Sequence, residues 1–170
     1  MPSSSRRAVD WWADKTRQAL AHARARVDPA EREQLVSWLR PSELALFDAM
    51  HVADRRHGLD VVAHLRAGGV TERDVLVAGL LHDCAKGDTG LAPRVAYSLG
   101  TRYGTWIWRV AGLVPGWPAV IERLRVHADA SAELARGAGC SDRTIDLIRH
   151  QEQPVDPDAG ERLRLADEAS

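Results

Sequence analysis

The sequence predicts an all-α protein of about seven to nine helices. Apolar residues recur at the three- and four-residue spacing of a helix along most of the chain, and the strict alternation of a half-buried strand is hard to find. Stretches rich in Gly and Pro separate the helical patterns. The chain has 170 residues, which suits one domain with a core that needs neither disulfides nor a structural metal.

The first part of the chain is predicted to form four helices. Residues 8 to 26 have the pattern of a polar, amphipathic helix, and residues 29 to 39 follow as a second one. The stretch RPSELALFDAM starts the third, with Ser42 as its N-cap. The fourth is DRRHGLDVVAHLRAGG, which Gly68-Gly69 should end.

The most apolar predicted helix is VLVAGLLHD. The preceding TERD resembles a capping box with Thr71 as the cap, and Gly87 should stop the helix. A helix that is apolar on every side belongs inside a protein. It nevertheless ends abruptly in His82-Asp83, with Lys86 close behind. Ionisable groups at such a position cost free energy unless something compensates them, and a metal ion is one candidate.

The rest of the chain is also predicted to be helical. Pro93 fits the first turn of a helix running to about residue 112. After the turn VPGWP, another helix runs to about residue 137, with a break before His127 left open. Ser141 should cap DRTIDLIRHQE, and ERLRLADEAS should form the final helix.

Composition narrows the class of protein. The net charge is −1, which gives no overall attraction to nucleic acid or to an anionic membrane, although a small anion could still bind locally. The two cysteines form no C-x-x-C pair, and the N-terminus has no apolar signal-peptide core. The longest apolar run, Val75 to Leu81, is far shorter than the roughly 20 residues of a membrane span. We therefore expect a soluble, cytoplasmic protein without nucleic-acid or membrane partners.

Several histidines lie near the ends of predicted helices, where a metal site could gather them. Imidazole and carboxylate groups suit divalent Mn, Fe, Mg, Co or Zn to differing degrees. Asp83 could bridge two ions, because a carboxylate has two oxygens. The candidate ligands are His57, His82, Asp83, His127, His150 and Asp167. His51 is a rival to His57, whereas His22 and His64 are expected at the surface.

The motif LLHDCAK resembles the central motif of the HD-domain superfamily of metal-dependent phosphohydrolases. The similarity extends to DRRHGLDVV, RVHADASAELA, LIRHQE and LRLADEA, in the same order, over roughly residues 44 to 170. The resemblance implies an HD-type bundle in which His57, His82-Asp83 and Asp167 hold a first ion. By the same resemblance, His127 and His150 hold a second. We assign residues 41–170 to this domain and residues 1–40 to an N-terminal helical extension, expected to form one compact unit.

The implied activity is hydrolysis of a phosphate ester, on a nucleotide or another small phosphorylated molecule, by metal-activated water. Asp83 would hold or bridge the ions, and Lys86 would either contact the substrate phosphate or neutralise Asp83. Two alternatives stay open. One is an HD-type di-iron oxygenase, which has a similar ligand set. The other is a regulatory HD domain that binds a nucleotide without turning it over.

The aromatic residues between positions 97 and 117 have two interpretations. Trp106, Trp108 and Trp117, with Tyr97 and Tyr103, could stack on a nucleobase. Such residues more often belong to a core or to a partner interface.

Overall fold

The computed structural model describes residues 25–170, and it confirms the all-α prediction. These residues form ten helices and no strand; the predicted helix over residues 8 to 26 lies almost wholly outside them. In chain order the helices are α1 (Pro29–Val36), α2 (Pro41–Ala49), α3 (Val52–Ala67), α4 (Arg73–Leu81), α5 (Leu91–Tyr103), α6 (Trp106–Ala111), α7 (Trp117–Arg125), α8 (His127–Gly137), α9 (Asp142–Arg149) and α10 (Ala159–Ala169).

The described residues fall into two compact units. One unit comprises residues 26–88 and 122–170, and the other contains residues 89–121. The predicted boundary at residue 40 stays a prediction. None of the helices between residues 25 and 170 is both long enough and apolar enough to span a bilayer.

Of the predicted N-caps, one is confirmed and two are wrong. The Ser141 hydroxyl accepts a hydrogen bond from the Thr144 N–H at 3.2 Å, as predicted for the start of α9. At α2 the cap is Arg40, because Pro41 already occupies the first helical position, and Ser42 instead donates to the Ala138 carbonyl. At α4 the cap is Glu72, since the helix starts at Arg73 and leaves Thr71 outside it.

The core of the larger unit is built around α4. Every residue from Val75 to Leu81 is buried, as the sequence predicts for a helix apolar on all sides. The helix packs against α3, α9 and α10. Fully burying one large aliphatic side chain contributes about 1.5–3 kcal/mol. A seven-residue buried run therefore anchors the end of α4, where the ionisable residues begin.

Close contact between α3 and α4 depends on Gly58. A Cβ atom at this position would lie 2.5 Å from the Leu80 carbonyl oxygen, closer than real Cβ contacts come. The missing side chain therefore lets the two backbones approach. Because His57 precedes Gly58 and His82 follows Leu80 by two residues, this contact brings the two histidines to the same place.

The smaller unit contains α5 and α6. Pro93 lies in the first turn of α5, as predicted. The helix predicted to continue to about residue 112 is instead two helices, and that part of the prediction is wrong. The chain turns at Gly104, whose φ of +118° is a conformation that L side chains rarely adopt. The break before His127, which the sequence left open, is present, because α7 and α8 are separate helices.

Candidate metal centre

His82 and Asp83 follow the last residue of α4 and are almost completely buried, with exposures of 1% and 2%. The Nδ1 atom of His82 lies 2.9 Å from the Gly79 carbonyl oxygen. A carbonyl oxygen can only accept, so Nδ1 carries the proton and donates it there. This bond fixes the ring and directs Nε2 toward the other candidate ligands, as is common for metal-binding histidines.

Three candidate ligands from α3, the end of α4 and α10 converge. One ligand atom each of His57, His82 and Asp167 lies within 4.8 Å of the other two. Asp167 Oδ1 is 2.7 Å from His57 Nε2 and 3.2 Å from His82 Nε2. Neighbouring ligands with bonds of about 2.1 Å to one ion are roughly 3 Å apart, so this donor set fits a divalent cation.

Two buried polar atoms of the site, His82 Nε2 and Asp83 Oδ1, form no hydrogen bond of normal geometry among the described residues, although Asp167 Oδ1 lies 3.2 Å from His82 Nε2. Buried polar groups are normally satisfied, and an exception calls for a specific explanation. Both atoms belong to ligand types that bind divalent metals. Their position beside His57 and Asp167 is what a cation site would require.

The charges in this cluster shift each other's protonation. Burial alone would lower the pKa of His82, but the negative charges of Asp83 and Asp167 raise it to about 9. Burial raises the pKa of Asp83, but His82 and Lys86 outweigh this effect and hold the pKa below its usual range. The pKa of Asp167 is lowered in the same way by His57 and His82. The carboxylates therefore stay ionised and attract cations.

The two oxygens of Asp83 face different partners. Oδ2 lies 3.5 Å from His82 Nε2 and 4.0 Å from His57 Nε2. Oδ1 lies 3.6 Å from His127 Nε2, at the start of α8. His127 is buried and its Nδ1 donates to the Leu124 carbonyl at 2.6 Å. This arrangement places His127 on the far side of the carboxylate from the first cluster.

Lys86 pairs with Asp83. Its Nζ lies 2.5 Å from Asp83 Oδ2, and its side chain is partly exposed. The contact corresponds to the charge-balancing alternative considered for Lys86. The role in phosphate binding stays a prediction.

His150 has a different setting. Its Nδ1 lies 2.9 Å from the Asp146 carbonyl oxygen. The residue lines a cavity of about 520 Å³ together with Leu147, Pro154 and Val155. None of the contacts that the structure records for His150 within residues 25–170 reaches another candidate ligand. Its role as a ligand of a second ion stays a prediction.

His51, the alternative to His57 as a ligand, lies at the start of α3 and has a structural contact there. The Nδ1 atom of His51 accepts a hydrogen bond from the Ala53 N–H at 3.2 Å and caps α3. His57, which lies six residues later within α3, is the residue that reaches Asp167.

Sequence reasoning missed three supporting residues. The Gln151 amide donates to the His82 carbonyl at 3.2 Å and is buried. The Ser131 hydroxyl, also buried, accepts from the Ala85 N–H at 3.1 Å. Gly58 allows the close approach of α3 described above. The spacing of Ser131, four residues after His127, was the one available signal, because it places both on one face of α8.

No family model matches the chain, and neither a curated protein nor a solved structure matches it.

Proposed function

We propose that this protein is a divalent-metal-dependent phosphohydrolase that acts on a nucleotide or another small phosphate ester. The main support is the convergence of His57, His82 and Asp167 beside Asp83, where the buried His82 Nε2 and Asp83 Oδ1 form no hydrogen bond of normal geometry. The resemblance of LLHDCAK and the flanking motifs to the HD-domain superfamily supports the reaction type.

The proposed roles follow from the contacts. His57, His82, Asp83 and Asp167 would hold a first ion. His127, together with the opposite oxygen of Asp83, would hold a second. A divalent ion at this position supplies Lewis acidity and an activated water for attack on phosphorus. Gly79 fixes the ring of His82, and Gln151 restrains its backbone, so these ligands are held in place before a cation arrives.

The substrate would approach from the side of His57 and Asp167. The side chains of these two residues are 28% and 42% exposed, whereas His82 and Asp83 are closed off. Lys86 is 23% exposed and would supply positive charge to the phosphate during transfer. In the absence of substrate this charge is balanced by Asp83.

The proposal is tested by elemental analysis of protein purified without chelator, followed by a phosphate-release screen over nucleotides and small phosphate esters with Mn²⁺, Mg²⁺, Fe²⁺ and Co²⁺. We expect bound metal in the wild type, and its loss in His82→Ala and Asp83→Ala with the helical circular-dichroism signal retained. His64→Ala is the matched control, because His64 is an exposed histidine on α3.

Three results would contradict the proposal. Unchanged metal content in both site variants would mean that the cluster is not the metal site. Oxygen consumption with a mixed-valent di-iron signal, and no phosphate release, would indicate the oxygenase alternative. Nucleotide binding by the metal-loaded protein without turnover on any substrate would indicate the regulatory alternative.

A further inference from the structure

The segment of the smaller unit from residue 89 to residue 121 has an unusual distribution of charge. Residues 89–121 contain three arginines and no lysine, aspartate or glutamate, whereas the rest of the chain contains 20 basic and 24 acidic side chains. The overall charge of −1 is therefore the sum of a positive charge on residues 89–121 and a negative charge on the rest of the chain. The sequence-based expectation of no membrane partner rested in part on that overall charge.

The same segment exposes a row of apolar side chains. Trp106 and Val110 are one helical turn apart on α6 and are 60% and 57% exposed. Leu113 and Val114 follow in the turn after α6 and are 82% and 41% exposed. We call these four residues the apolar face. Arg102 and Arg109, both exposed, lie within four residues of Trp106 along the chain.

Internal packing explains Tyr97 and Trp108 but not Trp106. Trp108 stacks on Tyr97 with ring centroids 5.4 Å apart and donates from Nε1 to the Tyr97 carbonyl at 3.1 Å. Gly100 leaves room for this indole, since a Cβ there would lie 1.9 Å from Trp108 Nε1. A nearby tryptophan that is left mostly in solvent, beside exposed aliphatic side chains, is suited to contact with an apolar environment.

We infer that the apolar face, flanked by Arg102 and Arg109, docks this protein onto membrane surfaces that contain anionic lipids. Exposed tryptophan and aliphatic groups can enter the boundary between headgroups and acyl chains, and nearby arginines are attracted to anionic headgroups. No acidic residue from 89 to 121 opposes that attraction. The inference concerns peripheral binding and does not depend on the proposed hydrolase activity.

The combination favours lipid over nucleic acid or a second copy of the chain. A nucleic-acid surface would need aromatic and cationic groups but has no use for exposed Val110, Leu113 and Val114. A second copy that docked through the same segment would bring together two cationic segments that lack acidic partners, and like charges at an interface oppose association. An anionic lipid surface complements both the apolar and the cationic groups.

The test is co-sedimentation of the full chain with vesicles of phosphatidylcholine alone and of phosphatidylcholine mixed with phosphatidylserine. We expect binding to the mixed vesicles, a blue shift of the tryptophan emission, and weakening by salt. Leu113→Glu should lower the partition coefficient more than about tenfold. Arg102→Ala and Arg109→Ala should each lower it about fivefold.

The matched control is Val36→Glu, which places the same charge on another exposed aliphatic residue, at the end of α1. It should leave binding unchanged. The inference is overturned if the protein ignores both kinds of vesicle, if it binds them equally, or if Leu113→Glu and Val36→Glu behave alike. It is also overturned if the chain self-associates through Leu113 or binds a single-stranded oligonucleotide while failing to bind vesicles.

Discussion

The Oδ1 atom of Asp167 lies 2.7 Å from the Nε2 atom of His57, although 110 residues separate them in the chain. The contact joins α10 to α3 beside the buried His82 and Asp83, which follow the end of α4. The last helix is therefore tied to the candidate metal centre by a single carboxylate. A metal ion bound by both His57 and Asp167 in place of their direct contact would also hold α10 in place.

Asp167→Asn should lower metal affinity by at least about 100-fold, because even residues that only support a ligand often contribute 10–100-fold. Metal binding at a site formed only in the folded state also stabilises the fold, so metal should protect residues 161–169 from hydrogen exchange. We expect that added protection in the wild type and its absence in Asp167→Asn. Glu168→Gln, an exposed neighbour on α10, is the control. Equal protection with and without metal in the wild type would show that Asp167 is not a ligand.

His127→Ala should reduce the metal stoichiometry from about two ions to about one, as for a two-metal site. The reason is that His127 faces the Oδ1 atom of Asp83, whereas His57 and His82 face Oδ2. His150→Ala should have the same effect if His150 is the other ligand of the second ion. Quantitative elemental analysis distinguishes the two variants. If neither variant changes the ratio of metal to protein, His127 and His150 do not bind a second ion and have a structural role.

The sequence was sufficient to predict the helical fold and the buried helix α4, because both follow from local periodicity. The apolar run before His82 predicts that α4 is buried. Ser141 predicts the start of α9, because its own side chain caps the helix. Ser42 was wrong as a cap because Pro41 already occupies the first position of α2. Thr71 was wrong because α4 starts two residues after it, at Arg73. Neighbouring residues can each favour a different helix start, so a start predicted from local pattern is accurate only to about one or two residues.

The contacts that assemble the candidate site were harder to predict, because they are long-range. The close approach at Gly58 depends on the path of α4, and Gln151 reaches the His82 carbonyl across 69 residues. Nothing in the sequence around either residue indicates such a contact. His57 and Asp167 were candidate ligands from the sequence, but their sharing of one ion with His82 and Asp83 was expected only through the family resemblance. The burial of His82 and Asp83, by contrast, follows directly from the apolar run.

Lys86→Ala should reduce turnover about 100-fold, the scale seen when one group that stabilises transition-state charge is removed. Metal affinity should not fall, since Lys86 competes with a cation for Asp83. The metal-free protein should become less stable, because the buried Asp83 loses a partner. Lys86→Arg, which keeps the charge, is the control for turnover. Wild-type turnover in Lys86→Ala would remove this residue from the site.

The metal-free protein should lose stability as the pH rises from 6.5 to about 9. The pKa of His82 is raised from 6.5 to about 9 in the folded state, so its contribution is complete below pH 6.5 and disappears as the pH passes 9. The loss is at most about 3 kcal/mol. The lowered pKa values of Asp83 and Asp167 act at the acid end, where their contribution is lost as the pH falls below 3.8.

Urea unfolding in the presence of chelator measures this dependence directly. His82→Gln should flatten the curve between pH 6.5 and 9, whereas His64→Ala should leave it unchanged. Burial lowers the pKa of His127, so that residue titrates below the window. In the wild type, metal affinity should rise over the same range, because a metal requires the unprotonated imidazole. A flat stability curve in the wild type would contradict the assignment of the shift to His82.

Gly58→Ala should damage the metal centre without changing any ligand. The added methyl group would lie 2.5 Å from the Leu80 carbonyl oxygen, so α3 and α4 must move apart. Because that obstacle is backbone, it cannot rotate away, and overpacking of this kind costs about 1–3 kcal/mol. The movement separates His57 from His82, whose ring centroids are 5.2 Å apart, and should lower metal affinity by about 10–100-fold.

Gly137→Ala is the matched control, because a Cβ there meets nothing within 4 Å and alanine favours a helix. Isothermal titration with Mn²⁺ and urea unfolding of both variants provide the measurement. If Gly58→Ala binds metal like Gly137→Ala, the spacing of α3 and α4 does not position the ligands.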